Sequence, residues 1–413
     1  MAGNTVIAGG SPAANKIFNA ALFSEAMRRN SLTNMLTGEA PRAVNKSKVD
    51  PRKQTEQGAP IVRITDLSKE MGDEVTTDLY HHLTGLATMG DDELEGRVES
   101  LSSSQFTLRI DQGRKAVSSG GRMTKQRTQH DLIQIAKSMI GPWWAARDDQ
   151  LSCIHLCGAR GEDETADWRI PLENHPEFAR QAVNDLLPPT YDRYLTGGDS
   201  TSLQTIDSAD KFTLAEVDKI RLFLDEMAYP PQPIQYEKDP LSQESPFYVL
   251  LVSPRQWNDF WTSTSGADWR EIITEANNRR RDFNHPVFAG EVAMWSGILI
   301  RKMSRPISFK AGSAVNVSAN DRDATVTQET AGVPIHRALL CGAQALACAY
   351  GRQGKKEEGG MYFGMHTEYK DHYNKQEHSI CWINGKKKIR FRGTDGRVND
   401  FGTIALDTAV SAG

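Results

Sequence analysis

His366, Glu368, Asp371, His372 and His378 are the densest group of potential metal ligands in this sequence. Glu368 and His372 stand four apart, so on a helix a carboxylate and an imidazole would share one face, as in carboxylate metal sites. Such a centre would suit a metal-dependent hydrolase. The stretch that carries it, HTEYKDHYNKQEH, is hydrophilic throughout and lacks the apolar surround that makes metal sites dry and tunable. A solvated loop or helix is the better reading. Cys153, His155 and Cys157 could place two thiolates one helical turn apart, but His155 would project elsewhere and no second ligand pair lies nearby. Buried structural thiols account for them better. Trp143-Trp144 could stack on a ligand, although core packing on a helix is far commoner. A basic run, Lys386, Lys387, Lys388, Arg390 and Arg392, follows the turn signal Asn384-Gly385; DNA, another subunit or solvent could each face it.

Other reaction chemistry is missing from the pattern. GRQGKKEEGG has glycines and lysines but no GK[ST] after four intervening residues, and there is neither a dinucleotide fingerprint nor a GxSxG elbow. No catalytic, cofactor-binding or metal residue is therefore assigned, and no enzyme is expected. With 49 Lys plus Arg against 53 Asp plus Glu, the net charge of −4 disfavours a dedicated nucleic-acid binder, whose affinity comes from neutralising phosphates. The longest clean apolar run, Phe247 to Val252, is strand-sized, and the first residues carry no secretion signal, so no membrane partner is expected. Five cysteines without paired spacing read as reduced thiols in a cytosolic chain.

The elements around these residues are organised by Arg122 to Cys157. Leu132, Ile135, Ala136, Met139, Ile140, Trp143, Trp144, Arg147, Leu151 and Ile154 follow three- and four-residue steps, one stripe along a helix roughly 50 Å long. Pro142 interrupts it; a bent rod and a helix broken in two both fit, and the bent rod is preferred. Residues 1–60 read as an arm: a short amphipathic helix from Asn15 to Asn30, then a polar, proline-broken stretch that needs another surface to lie on. Ile61 to Ile64, the Val75/Leu79/Leu83 face and Phe106/Leu108/Ile110 read as strands. Between the last two runs a polar stretch too long for a tight turn, giving a protruding ribbon that is marginal alone. Charge is blocked: ten acidic and two basic residues in 66–100, eight basic and three acidic in 1–53, six basic and one acidic in 101–127. Solvated faces and complementary contact between arm and ribbon, of one subunit or of different ones, explain this equally well. The first hundred-odd residues are expected to find their burial on sister molecules.

Beyond the helix the pattern is α+β. Thr213-Leu-Ala-Glu216 and Ser253-Pro254-Arg255-Gln256 read as capping boxes. Phe247 to Val252, Gly297 to Met303 and Gly402 to Val410 read as strands, and Ala338 to Tyr350 as a strand running into a helix. The irregular order disfavours a doubly wound sheet or barrel.

A series of segments carries a resemblance: GDEVTTDLYHHLTGLATMGDDELEGRVESLS with FTLRIDQGRKAV, TQHDLIQIAKSMIGPWWAARDDQL, HPVFAGEVAMWSGILI, IHRALLCGAQALACAYG and DFGTIALDTAV. In this order they resemble the major capsid proteins of tailed phages, and among those the coat proteins of Enquatrovirus-like short-tailed phages. The resemblance implies the Hong Kong 97-type α+β capsid fold. On it, 1–60 are the N-terminal arm, 61–121 the extended β-ribbon loop and 122–157 the spine helix of the peripheral domain. Residues 158–413 build the axial domain and returning peripheral strands, with 159–212 as an insertion of unplaced location. It implies a virion protein assembled in the host cytoplasm, forming hexamers and pentamers of itself around packaged double-stranded DNA touched weakly and without sequence preference. Separate scaffolding, portal and decoration proteins are the other implied partners. Some relatives cross-link through a lysine near the loop tip; no lysine occurs here between Lys69 and Lys115, so the shell is expected to be noncovalent. A nanocompartment shell of the same fold, a metal-dependent hydrolase and a tail or adhesion component are the competing readings.

Overall fold

The computed structural model describes residues 31–37, 58–64 and 72–411, the last span interrupted at 81–85, 91–94, 97, 99, 101–102, 128–131, 163–166, 237–238, 240–244, 283–284, 289, 304, 320–321, 323, 352–362 and 394–395. The helix expected over 15–30 and most of the expected arm lie outside these residues. The chain begins with α1 (Ser31–Leu36) and β1 (Ile61–Ile64). β2 (Glu74–Tyr80) pairs antiparallel with β3 (Ser103–Arg109), Glu74 opposite Arg109 and Tyr80 opposite Ser103. β4 (Asp111–Gly121) runs straight into α2 (Arg122–Arg127), and α3 (Leu132–Cys157) follows. α3 continues unbroken through Pro142, because the ring deletes only one of its many ladder bonds. Its 26 residues span roughly 40 Å.

The remaining helices are α4 (Phe178–Ala182), then, after β5 (Tyr194–Thr196), α5 (Leu214–Glu226), and, after β6 (Tyr248–Val252), α6 (Pro254–Ser263) and α7 (Gly266–Asp282). Strands then dominate: β7 (Val292–Trp295), β8 (Ile298–Lys302), β9 (Ile307–Phe309), β10 (Ala314–Ser318), β11 (Val326–Thr330), β12 (Ile335–Cys341) and β13 (Leu346–Tyr350). Last come β14 (Phe363–Lys370), β15 (Lys375–Lys388), β16 (Arg390–Arg392), β17 (Val398–Asp400) and β18 (Thr403–Ala409).

Two mixed sheets carry the core. One runs β1-β13-β15-β14, with β4 also on β15; the other runs β5-β18-β12-β6-β8-β7, with β9 on β12. α3 ties them together. Ile140 and Trp144 pack on Met365, Ile380 and Trp382 of the first sheet. Cys153, Leu156 and Cys157 join the main core with Leu339 and Cys341 of the second. Leu151 and Ile154 meet Ile170, Phe178 and Ala182, so the 159–212 segment is woven against the helix and, through β5, onto β18.

Several local expectations are corrected. Ala338 to Tyr350 is two strands, not a strand and a helix; every residue of β12 and β13 is buried, and an unbroken apolar run carries no period to tell the two apart. Asn384-Gly385 makes no turn and lies inside β15. A Cβ at Gly385 would stand 1.8 Å from the Arg109 carbonyl oxygen, so the glycine serves close approach of two backbones. Thr213 makes no side-chain cap; Glu216 instead accepts from the Gly198 amide at 2.9 Å. The Ser253 box does form, with its Gln256 also donating to His336 O and Thr408 Oγ1 at 2.9 Å each. Residues 31–37 and 58–64 are largely buried within their own chain, Leu36 and Ile61 completely, so these pieces do not wait for a sister molecule.

Candidate assembly interface

The histidine-rich stretch folds as the β14–β15 hairpin, where side chains alternate between faces. Glu368 therefore shares no helix face with His372, which lies in the connecting turn at φ 48 between Asp371 and Tyr373, also at positive φ. His378 is buried, its Nδ1 2.9 Å from Thr367 Oγ1. Among the described residues no group of three or more His, Cys, Asp or Glu is placed to hold a metal ion. The five cysteines are free and buried. Hydrogen bonding to Cys157, then burial, push the Cys153 thiol far above its ordinary range, so it is no ready nucleophile. His155 points away from both, to Ala182 O at 3.2 Å, and burial lowers its pKa to about 4. Trp144 is core, and Trp143 sits half-buried 6.1 Å from the Trp382 ring.

Two members of the basic run are sealed inside. Lys386 Nζ lies 2.7 Å from Asp148 Oδ1 and donates to Asp148 O and Ser152 Oγ. Lys388 Nζ and Arg390 Nε take the two oxygens of buried Asp400 at 2.7 and 2.8 Å. Burial lowers Lys388 to about 8 against the pull of Asp400. Burial alone would raise Asp400, but the two cations hold it below the usual carboxylate range. Lys386 thus stitches β15 to α3 and Lys388 stitches it to the end of β17, and neither side chain faces outward.

The arrangement is mechanical. Asp149, on the buried side of α3, receives Leu32 N at 3.3 Å, Thr33 N at 3.1 Å and Thr33 Oγ1 at 2.9 Å, capping α1 from another element. At the root of the β2–β3 ribbon, Asn184 Oδ1 accepts from Arg109 N at 3.0 Å while its Nδ2 donates to Arg109 O and Lys386 O. Val183, left-handed at φ 67, turns the chain at the end of α4 just before it. Lys387 Nζ donates to Thr107 O at 2.9 Å, a second tie to the same root. Arg337 forks onto Asp407 at 2.8 and 2.7 Å and donates to Cys157 O, closing the C-terminus of α3 with positive charge. Past this anchored root, Leu86 is 97% exposed, and Met89 and Val98 are exposed too; Met123, Ile135 and Met139 stand out along the helices. Isolated exposed apolar residues are ordinary; here they fall in two groups, one past the ribbon strands and one on α2 and α3.

Sequence reasoning missed Asp149, Asn184 and Arg337. The first had a signal: Asp148-Asp149 breaks the apolar side of a helix, where unpaired carboxylates do not sit. Asn184 and Arg337 had none.

Solved structures share this architecture. A chain of the capsid of Ralstonia phage GP4 superposes with a TM-score of 0.69 at 26% identity, covering 99% of both chains. The capsid asymmetric unit of cyanophage Pam1 gives 0.59 at 17% identity over 91% of this chain and 97% of that one. The fold is the Hong Kong 97-type α+β fold of tailed-phage capsid subunits. In sequence, the chain is 24% identical over 363 residues to the major capsid protein of Pseudomonas phage KPP25, 86% of this chain and 89% of that protein. Residues 6–412 match the phage capsid protein family, and the chain belongs to that family. Its role is structural and its place is the virion's capsid.

Proposed function

We propose that this chain is the major subunit of an icosahedral head, arranged in hexamers and pentamers around the double-stranded DNA of a tailed phage of the short-tailed, Enquatrovirus-like kind. The observation that carries the reading is the ribbon: polar groups and buried Phe106 and Leu108 fix its root inside the body, while Leu86, Met89 and Val98 past it stand largely exposed in the single chain. A ribbon of two strands has too little core to stand alone, so a neighbouring copy supplies the missing surface. On this reading 1–60 are the arm, 61–121 the extended loop and 122–157 the spine, with axial and peripheral parts in 158–413. Many modest contacts broken together give a shell its persistence. Contact with DNA is weak and non-specific, in keeping with a net charge of −4 and with Lys386 and Lys388 turned inward. Scaffolding, portal and decoration functions fall to separate proteins.

Negative-stain images of the purified full chain test this: closed polyhedra or hexameric rings are expected, and monomers at every concentration tried would overturn it. With no lysine between Lys69 and Lys115, boiled and reduced particles should run as one band near 45.9 kDa; a ladder of linked subunits would refute the noncovalent shell.

A further inference from the structure

A recess of about 680 Å³ opens between the start of β4, the middle of α3 and the end of α4. Arg114, Lys115 and Arg147 line it together with the rings of Trp143 and Trp382. Two further arginines at its edge are already neutralised, Arg169 by Asp167 at 2.6 Å and Arg180 by Glu177 at 3.3 Å. Arg147 is not. It is only 4% exposed, yet no carboxylate reaches it: Gln181 Oε1 accepts from Nε and Nη2 at 3.1 and 2.9 Å, and Trp382 covers one face at 4.9 Å. Its Nη1 is buried without any acceptor. The adjacent Asp148 is held by Lys386 and Asn384. Burial lowers Arg147 to about 10 against the pull of the neighbouring Asp148 charge. The one acid lining the recess, Asp111, accepts from the Gln112 amide at 2.7 Å.

A buried guanidinium with a free N–H, flanked by two open cations and two indole walls, is built for an oxyanion carried on a partly apolar segment. We propose that this recess receives a carboxylate side chain from the acidic stretch 91–99 of a second copy of the chain. The proposal rests on the capsid reading only in requiring that copies touch. That stretch, DDELEGRVE, has five acids and one base, and exposed Leu86 and Val98 flank the exposed Glu95. Acid and apolar groups there match base and indole here. The chain's own ribbon is rooted at the rim of its recess, Arg109 being two residues from Asp111, and seven-residue strands carry its far end roughly 20 Å away. The occupant therefore comes from another molecule. A nucleic-acid phosphate has the right charge but would follow an extended basic stripe, whereas this is one concave site.

The test uses full-length subunits carrying a benzophenone amino acid in place of Lys115 or, separately, Arg114, both exposed. They are co-assembled from ¹⁴N and ¹⁵N stocks, imaged, irradiated and digested for mass spectrometry. Crosslinks from both positions to peptides spanning 86–99, with at least a third joining light to heavy copies, are expected. Crosslinks confined to single copies, directed to other surfaces or to nucleic acid, or absent from both positions would sink the recess and leave the capsid reading standing. Failure of the unmodified chain to form shells would remove both.

Discussion

Replacing Asp149 with alanine should loosen residues 32–36 and little else. The carboxylate holds three donors of α1, the amides of Leu32 and Thr33 and the Thr33 hydroxyl, while Ser152 Oγ lies 3.2 Å from that hydroxyl. Losing a helix cap costs about 0.5–2 kcal/mol, and a hydrogen bond to a charged group about 1.5–3 kcal/mol. Part of that is recovered, because burial pushes the Asp149 pKa up and the alanine carries no charge to desolvate. The apolar contacts of Leu32, Met35 and Leu36 remain. A net loss of about 2 kcal/mol, roughly a 30-fold rise in local opening, is the expected balance. Amide hydrogen exchange on unassembled subunits reads it directly in peptides covering 31–37, with Asp149→Asn falling between the two. Exchange there within threefold of the parent, or an equal acceleration in β6 and β12, would refute the latch, the second by making the effect global.

Gly385→Ala should displace the ribbon root, since the new methyl would meet the Arg109 carbonyl and, at 3.2 Å, the Ile110 Cα, both backbone. A loss of about 3 kcal/mol in denaturant unfolding is expected, against under about 0.5 kcal/mol for Gly266→Ala, where nothing lies within 4 Å. His155 predicts an acid sensitivity. It is neutral in the fold with its pKa lowered from 6.5 to about 4, so the unfolded chain takes up the proton first, and stability falls as pH drops from 6.5 toward 4. At pH 5 the loss is about 2 kcal/mol relative to pH 7. His155→Gln keeps a donor for Ala182 O and should flatten that slope; equal slopes in parent and variant would exclude the histidine as its source.

Much of the scaffold was legible because its pattern has a period. The stripe from Ala136 to Ile154 placed the long helix, and the alternation of Phe106 and Leu108 placed a ribbon strand. Legibility failed where the period vanished, as in the fully buried β12–β13 stretch. It failed again where a residue's purpose was tertiary. Asn384-Gly385 is a turn signal only if the glycine's freedom is used for φ; here it is used for space, against a backbone 276 positions earlier in the chain. The lysine run looked like a surface because consecutive cations usually are one. Alternation along β15 instead sends Lys386 and Lys388 inward to Asp148 and Asp400, partners no local pattern could supply.

Those buried charges explain how one chain can be both stable and unfinished. The joint between body and ribbon is partly apolar, with Phe106 and Leu108 of β3 buried against Ala347, Ala349 and Ile389, but apolar contact does not by itself fix direction. Hydrogen bonds are directional and compact, so Asp149 on the arm side and Asn184 and Lys387 at the ribbon root hold these pieces in register using few atoms. Removing one partner leaves the other buried and unpaired, which makes such joints intolerant of partial loss. The exposed side chains past them, Leu86, Met89 and Val98, stay available because the joint does not need them. On the proposed reading, orientation is settled within the subunit and apolar burial is completed between subunits. A ribbon that arrived floppy would have to lose that conformational freedom on docking, at an entropic cost repeated for every copy in the shell.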